Sequence, residues 1–72
     1  MVNILKLKGK IVECGTNIEE LSKNIGINKS TFYRKLNSNG EEFSIREVTF
    51  MIRTLNLSLN EVNEIFFSQF VA

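Results

Sequence analysis

The run Lys29-Ser30-Thr31-Phe32-Tyr33-Arg34-Lys35-Leu36-Asn37 interleaves cationic and hydrogen-bonding side chains with two large apolar ones. At helical spacing Phe32 and Leu36 point one way and Ser30, Arg34 and Asn37 the other, with Lys29 and Tyr33 on a flank. The outward set suits the edges of base pairs. A guanidinium such as Arg34 matches guanine O6 and N7 bidentately, Ser30 can bond several base edges, the Thr31 methyl fits the thymine methyl, and Lys29 can serve a base or a phosphate. Other chemistries are poorly supplied. The chain has no histidine and one cysteine, Cys14, so the commonest general base, the commonest zinc ligand and any internal disulfide are missing. Glu19 with Glu20, and Glu41 with Glu42, are sequence neighbours that would not face each other on a helix, and no third catalytic group accompanies them. The expectation is a binding module rather than an enzyme, with no cofactor, no metal and no small-molecule ligand.

The elements that would hold these side chains announce themselves by apolar spacing and by caps. Ile4, Leu7, Ile11 and Cys14 recur at intervals of three and four, widened by Leu5 and Val12, and Gly15 follows; this predicts a first helix over residues 2–14 with Cys14 a core thiol. Asn17, with Glu20 three residues on, opens a short second helix whose inner stripe is Ile18, Leu21, Ser22 and Ile25. Asn28 opens a third, stopped by Asn37-Ser38-Asn39-Gly40. Ser44 with Glu47 and Ser58 with Glu61 are capping boxes for a fourth and a fifth helix. Their expected inner stripes are Ile45, Val48, Ile52 and Leu55, and then Leu59, Val62, Ile65 and Phe66. Period-two alternation is scarce, so the fold class expected is all-α, five short helices around one core, a single domain over residues 1–72.

Bulk properties agree with that class. Seventy-two residues bury only about 60% of their unfolded surface, which leaves a small core. At 43% hydrophobic and 24% charged the chain lies in the ordinary globular range. Its apolar runs are too short for a membrane span or a signal-peptide core, so a cytoplasmic location and a reduced thiol are expected. The net charge of +1 conceals an asymmetry. Residues 1–40 hold seven cations against Glu13, Glu19 and Glu20, for +4, while residues 41–72 hold Arg46 and Arg53 against five glutamates, for −3. The basic first half is compatible with a nucleic-acid partner.

Between Leu21 and Leu36 the order is apolar, small, two residues, apolar-Gly-apolar, then a second short helix, the spacing of a helix-turn-helix. On Leu21-Ser22, Gly26-Ile27 and Lys29-Ser30-Thr31 the chain resembles the lambda-repressor-like, Cro-type family of helix-turn-helix regulators, and the five-helix layout matches. Ser30 to Asn37, Phe43 and Ile65-Phe66-Phe67 are similar to the small Cro-like proteins of phages and prophages of Gram-positive bacteria. The resemblance implies that Tyr33, Lys35, Asn37, Ser38 and Asn39 hold the DNA backbone, which suits their polarity. It also implies a phosphate at the start of the second helix, at Asn17 and Ile18. There Ile18 replaces the usual polar residue, leaving backbone N–H groups to bind the anion. In two other departures, Ile11 and Leu36 stand where many members carry an Arg–Glu pair, and Ser22 stands where alanine is usual.

The function expected is therefore a Cro-like repressor that binds a pseudo-palindromic operator in double-stranded DNA as a homodimer. Phe50 on the outer side of helix four, with Phe67, Phe70 and Val71 beyond the stripe of helix five, would form the dimer interface. The alternative is a protein-interaction module, such as an antirepressor that keeps the fold and binds another regulator. The low net charge and Ile18 favour it.

Overall fold

A computed structural model describes residues 2–68 of the chain. Among them lie five helices and no strand: α1 (Ile4–Glu13), α2 (Ile18–Ile25), α3 (Lys29–Asn37), α4 (Ile45–Thr54) and α5 (Leu59–Phe66). None exceeds ten residues, too few for an isolated helix to persist in water. Each therefore depends on its cap and its packing. Asn3, Asn17, Asn28, Ser44 and Ser58 each accept a hydrogen bond from the backbone N–H three residues on. Glu47 and Glu61 return the bond to the N–H groups of Ser44 and Ser58, at 2.8 Å in both cases, so both expected capping boxes form. Asn3 starts α1 two residues later than the apolar spacing alone implied.

The core is Leu7, Ile11, Leu21, Ile25, Phe32, Leu36, Met51, Leu55, Ile65 and Phe66. α2 packs on α3 and α4, and α1 on α5. The chain start closes the fold by two backbone bonds, Val2 N–H to Asn39 O at 3.1 Å and Asn3 N–H to Ile65 O at 2.7 Å. Ile11 and Leu36 are both buried in this core, so no unmatched charge is buried at these two positions. Ser22 is also buried, and its hydroxyl donates back to the Ile18 and Glu19 carbonyls at 2.5 and 3.1 Å. The polar atom is thus satisfied inside its own helix.

Three expected stripes need correction. On α4 the buried line is Glu47, Met51 and Leu55, while Ile45 is 87% exposed and Val48 and Ile52 are half-buried. The helix is rolled so that a carboxylate points inward, an arrangement no apolar pattern can express; Lys35 makes it tolerable by pairing with Glu47. Phe50 consequently packs against the core's edge instead of facing outward. Leu59 on α5, and Leu5 and Val12 on α1, are exposed. Cys14 is exposed too, because it is the C-cap residue, beyond the last helical turn that would have aimed it inward; its thiol donates to the Leu55 carbonyl at 3.4 Å.

Candidate nucleic-acid interface

The joint between α2 and α3 is three residues long, Gly26-Ile27-Asn28. Gly26 takes φ +95, a left-handed conformation that L side chains resist. That lets the N–H groups of both Gly26 and Ile27 return to the Ser22 carbonyl at 3.0 Å. Ile27 then tucks against the core and Asn28 turns the chain into α3, with its Oδ1 accepting from Thr31 N–H at 2.8 Å. Phe32 and Leu36 anchor the inner side of α3, and Phe32 meets Phe43 edge-to-face with ring centroids 5.2 Å apart.

The outer side carries Lys29, Ser30, Tyr33, Arg34 and Asn37, all exposed, with Thr31 half-buried beside them. The four expected base-reading residues, Lys29, Ser30, Thr31 and Arg34, thus come together on one helix. The expected phosphate set divides. Asn37 and Asn39 are exposed at the end of α3, whereas Ser38 is half-buried as the helix C-cap and donates its hydroxyl to the Lys35 carbonyl at 2.8 Å. Lys35 is withdrawn from the surface, its Nζ 2.8 Å from both oxygens of Glu47. It cannot reach a phosphate without abandoning a buried carboxylate.

Asn17, Ile18 and Tyr33 line a shallow depression of about 320 Å³ with Lys8, Ile11, Val12 and Thr16. The start of α2 and one flank of α3 therefore share a surface. The Asn17 Oδ1 caps α2, accepting from Glu20 N–H at 2.8 Å, and its Nδ2 remains a donor for an anion. Of the three lysines on α1, Lys8 is the one that lines this depression. Its distinction is spatial: Lys6 pairs with Glu64 and Lys10 with Glu61, whereas Lys8 has no carboxylate partner among the described residues.

Ion pairing also erases the charge asymmetry of the two halves. Lys6–Glu64, Lys10–Glu61, Arg34–Glu42 and Lys35–Glu47 each join a first-half cation to a second-half carboxylate. No basic hemisphere results from these pairs. The local field around α3 depends on how firmly each pair holds.

An apolar groove of about 500 Å³ lies elsewhere, lined by Val2, Phe43, Ile45, Val48, Ile52 and Phe67 among others. Of the expected dimer residues, Phe67 is at this groove and 46% exposed, Phe50 is at the core's edge, and Phe70 and Val71 lie outside the described residues. No described helix is long and apolar enough to cross a membrane. Comparison of the chain with protein-family models, curated proteins and solved structures finds no match.

Proposed function

We propose that the chain is a sequence-specific, double-stranded-DNA-binding regulator of transcription, a Cro-like repressor acting in the cytoplasm as a homodimer on a pseudo-palindromic operator. The observation that carries this reading is α3 itself. Its inner face is locked by Phe32 and Leu36, a three-residue turn fixes it against α2, and its outer face presents Lys29, Ser30, Tyr33, Arg34 and Asn37 to solvent. A helix so held can enter a major groove with its polar side chains at base edges. Bound at a promoter, such a protein acts by occupancy, without an effector or a catalytic group.

Selection from a random duplex pool, followed by mobility shifts with the enriched duplex, tests the reading. Arg34→Ala should cost about 1–3 kcal/mol on that duplex and relax the preference at one position per half-site. Failure of the pool to yield any enriched sequence would overturn the proposal. The pairing of α3 cations with glutamates favours a second reading, a protein-interaction module of the antirepressor kind. Under it, weak binding to all duplexes would accompany tight binding to a DNA-binding regulator.

A further inference from the structure

All three cations of α3 have carboxylate partners, each from a different part of the chain. Lys29 Nζ lies 3.7 Å from Glu19 on α2, Arg34 is paired with Glu42 in the segment before α4, and Lys35 is held at 2.8 Å by Glu47 on α4. The three pairs differ in exposure. The Lys35 and Glu47 side chains are 14% and 5% exposed, against 55% and 66% for Lys29 with Glu19 and 58% and 50% for Arg34 with Glu42. A desolvated pair is costly to open, whereas an exposed one holds weakly and exchanges readily. The Lys35 pair is therefore a fixed part of the fold, and the other two are open to competition.

We propose that Glu19 and Glu42 are specificity-determining residues, internal competitors that keep Lys29 and Arg34 from neutralising DNA phosphates wherever the recognised bases are absent. This rests on the DNA-binding reading and deepens it. On arbitrary DNA, moving Arg34 from Glu42 to a phosphate exchanges one anion for another and strands Glu42 beside a polyanion, so little is gained. On the correct sequence the outcome differs. Glu42 engages the guanidinium through Nη1 alone, and a guanidinium offers five N–H donors in a fork. The remaining edge can take guanine O6 and N7 while Glu42 holds the fork in place. Glu19 sits in the first turn of α2, next to Asn17 and Ile18, where its charge opposes any phosphate approaching the helix N-terminus and its contact occupies Lys29. Both carboxylates thereby subtract from the sequence-independent part of binding more than from the sequence-dependent part.

The test measures the affinity of wild type, Glu19→Gln, Glu42→Gln and Glu64→Gln for the pool-selected duplex and for a scrambled duplex across a salt series. Glu64 pairs with Lys6 on α1, away from α3, so Glu64→Gln makes the same change in net charge without freeing an α3 cation. Glu19→Gln and Glu42→Gln should each raise affinity for the scrambled duplex about two- to fivefold and steepen its salt dependence. Affinity for the selected duplex should rise less, or fall for Glu42→Gln, so the ratio of the two drops. Glu64→Gln should leave that ratio unchanged. Thermal unfolding of all four proteins checks that the fold is intact in each. Equal rises on both duplexes, an unchanged ratio, or the same drop for Glu64→Gln would overturn the inference while leaving DNA binding standing. A wild type that selects no duplex would remove the DNA-binding reading and the inference with it.

Discussion

The ammonium of Lys35 donates to both oxygens of Glu47 at 2.8 Å, and Glu47 Oε1 accepts from the Ser44 N–H at the same distance. One carboxylate thus ties the last turn of α3 to the first turn of α4 and completes the α4 cap. Among the ion pairs of the described residues it is the most buried, at 14% and 5% exposure. Removing one partner of such a pair strands the other, and the cap is lost with it. Glu47→Ala should cost about 2–4 kcal/mol in urea unfolding, against less than about 1 kcal/mol for Glu42→Ala, whose pair is half-exposed. Equal losses for the two variants would show that burial adds nothing to the Lys35–Glu47 pair.

Acid should unfold the protein by a route that the capping boxes define. The hydrogen bond from Lys10 at 2.6 Å, aided by the Ser58 N–H, holds the Glu61 carboxyl at about 2, well under its usual 4.5. Burial alone would push Glu47 up, but bonds from Lys35 and Ser44 outweigh it and hold that carboxyl below its ordinary value. A carboxyl depressed in the folded state contributes stability that is present above its unfolded pKa and lost as pH falls through the folded one. Urea midpoints should stay level from neutral pH to about pH 5 and decline continuously toward pH 2. In Glu61→Gln the neutral-pH midpoint should drop and the acid decline become shallower. An unaltered slope in that variant would show that the Lys10–Glu61 bond does not persist in solution.

The elements were legible because their signals are local. Caps at Asn17, Asn28, Ser44 and Ser58, and the left-handed Gly26, need only a few neighbouring residues to be recognised. The roll of α4 was not legible, since Glu47 is admitted to the core by Lys35, twelve residues earlier in the chain. A stripe drawn from apolar residues alone chose Ile45 and passed over Met51, which is fully buried. The candidate site divides in the same way. Lys29, Ser30, Thr31 and Arg34 share a helix, so spacing places them together. Spacing cannot say that Lys35 is withdrawn, that Glu42 reaches Arg34, or that Lys8 is the lysine of α1 left beside Asn17 and Tyr33.

Two glycines separate backbone strain from steric clash. A Cβ on Gly26 would meet open space, so only the left-handed backbone, φ +95, opposes it. A Cβ on Gly40, φ +75, would also lie 2.5 Å from Val2 Cγ2 and 2.6 Å from Val2 Cβ. Val2 cannot simply retreat, because its N–H is bonded to the Asn39 carbonyl and the next residue to Ile65. Gly26→Ala should cost about 1 kcal/mol and Gly40→Ala about 2–3 kcal/mol in urea unfolding. The reverse order would mean that the Val2 contact does not hold in solution.

If the depression at the start of α2 receives a phosphate, Lys8 is the cation placed to neutralise it. It lines that depression with Asn17, Ile18 and Tyr33 and has no carboxylate partner among the described residues. Lys8→Ala should reduce the slope of log affinity against log salt by about 0.9 per bound protomer on the selected duplex. Lys35→Ala should instead act mainly on stability, its ammonium being committed to Glu47. A slope unchanged by Lys8→Ala would place the phosphate elsewhere.

The apolar groove gives the proposed dimer a definite face. Ile45 is 87% exposed and Phe67 46% exposed, and the half-buried Val2, Phe43, Val48 and Ile52 line the groove with them. Phe50, half-buried at the core's edge, does not line this groove. Two recognition helices read a full operator only when a twofold axis sets them about 34–36 Å apart, and a self-complementary apolar face is the simplest way to fix such an axis. Sedimentation equilibrium should find a dimer at concentrations on the order of tens of micromolar. Because Ile45 is so exposed, Ile45→Asp should separate the protomers while barely changing the unfolding midpoint of the monomer. Phe67→Ala should weaken association and leave the fold intact. A wild type that stays monomeric would sink the dimer, and a dimer indifferent to Ile45→Asp would move its interface off this groove.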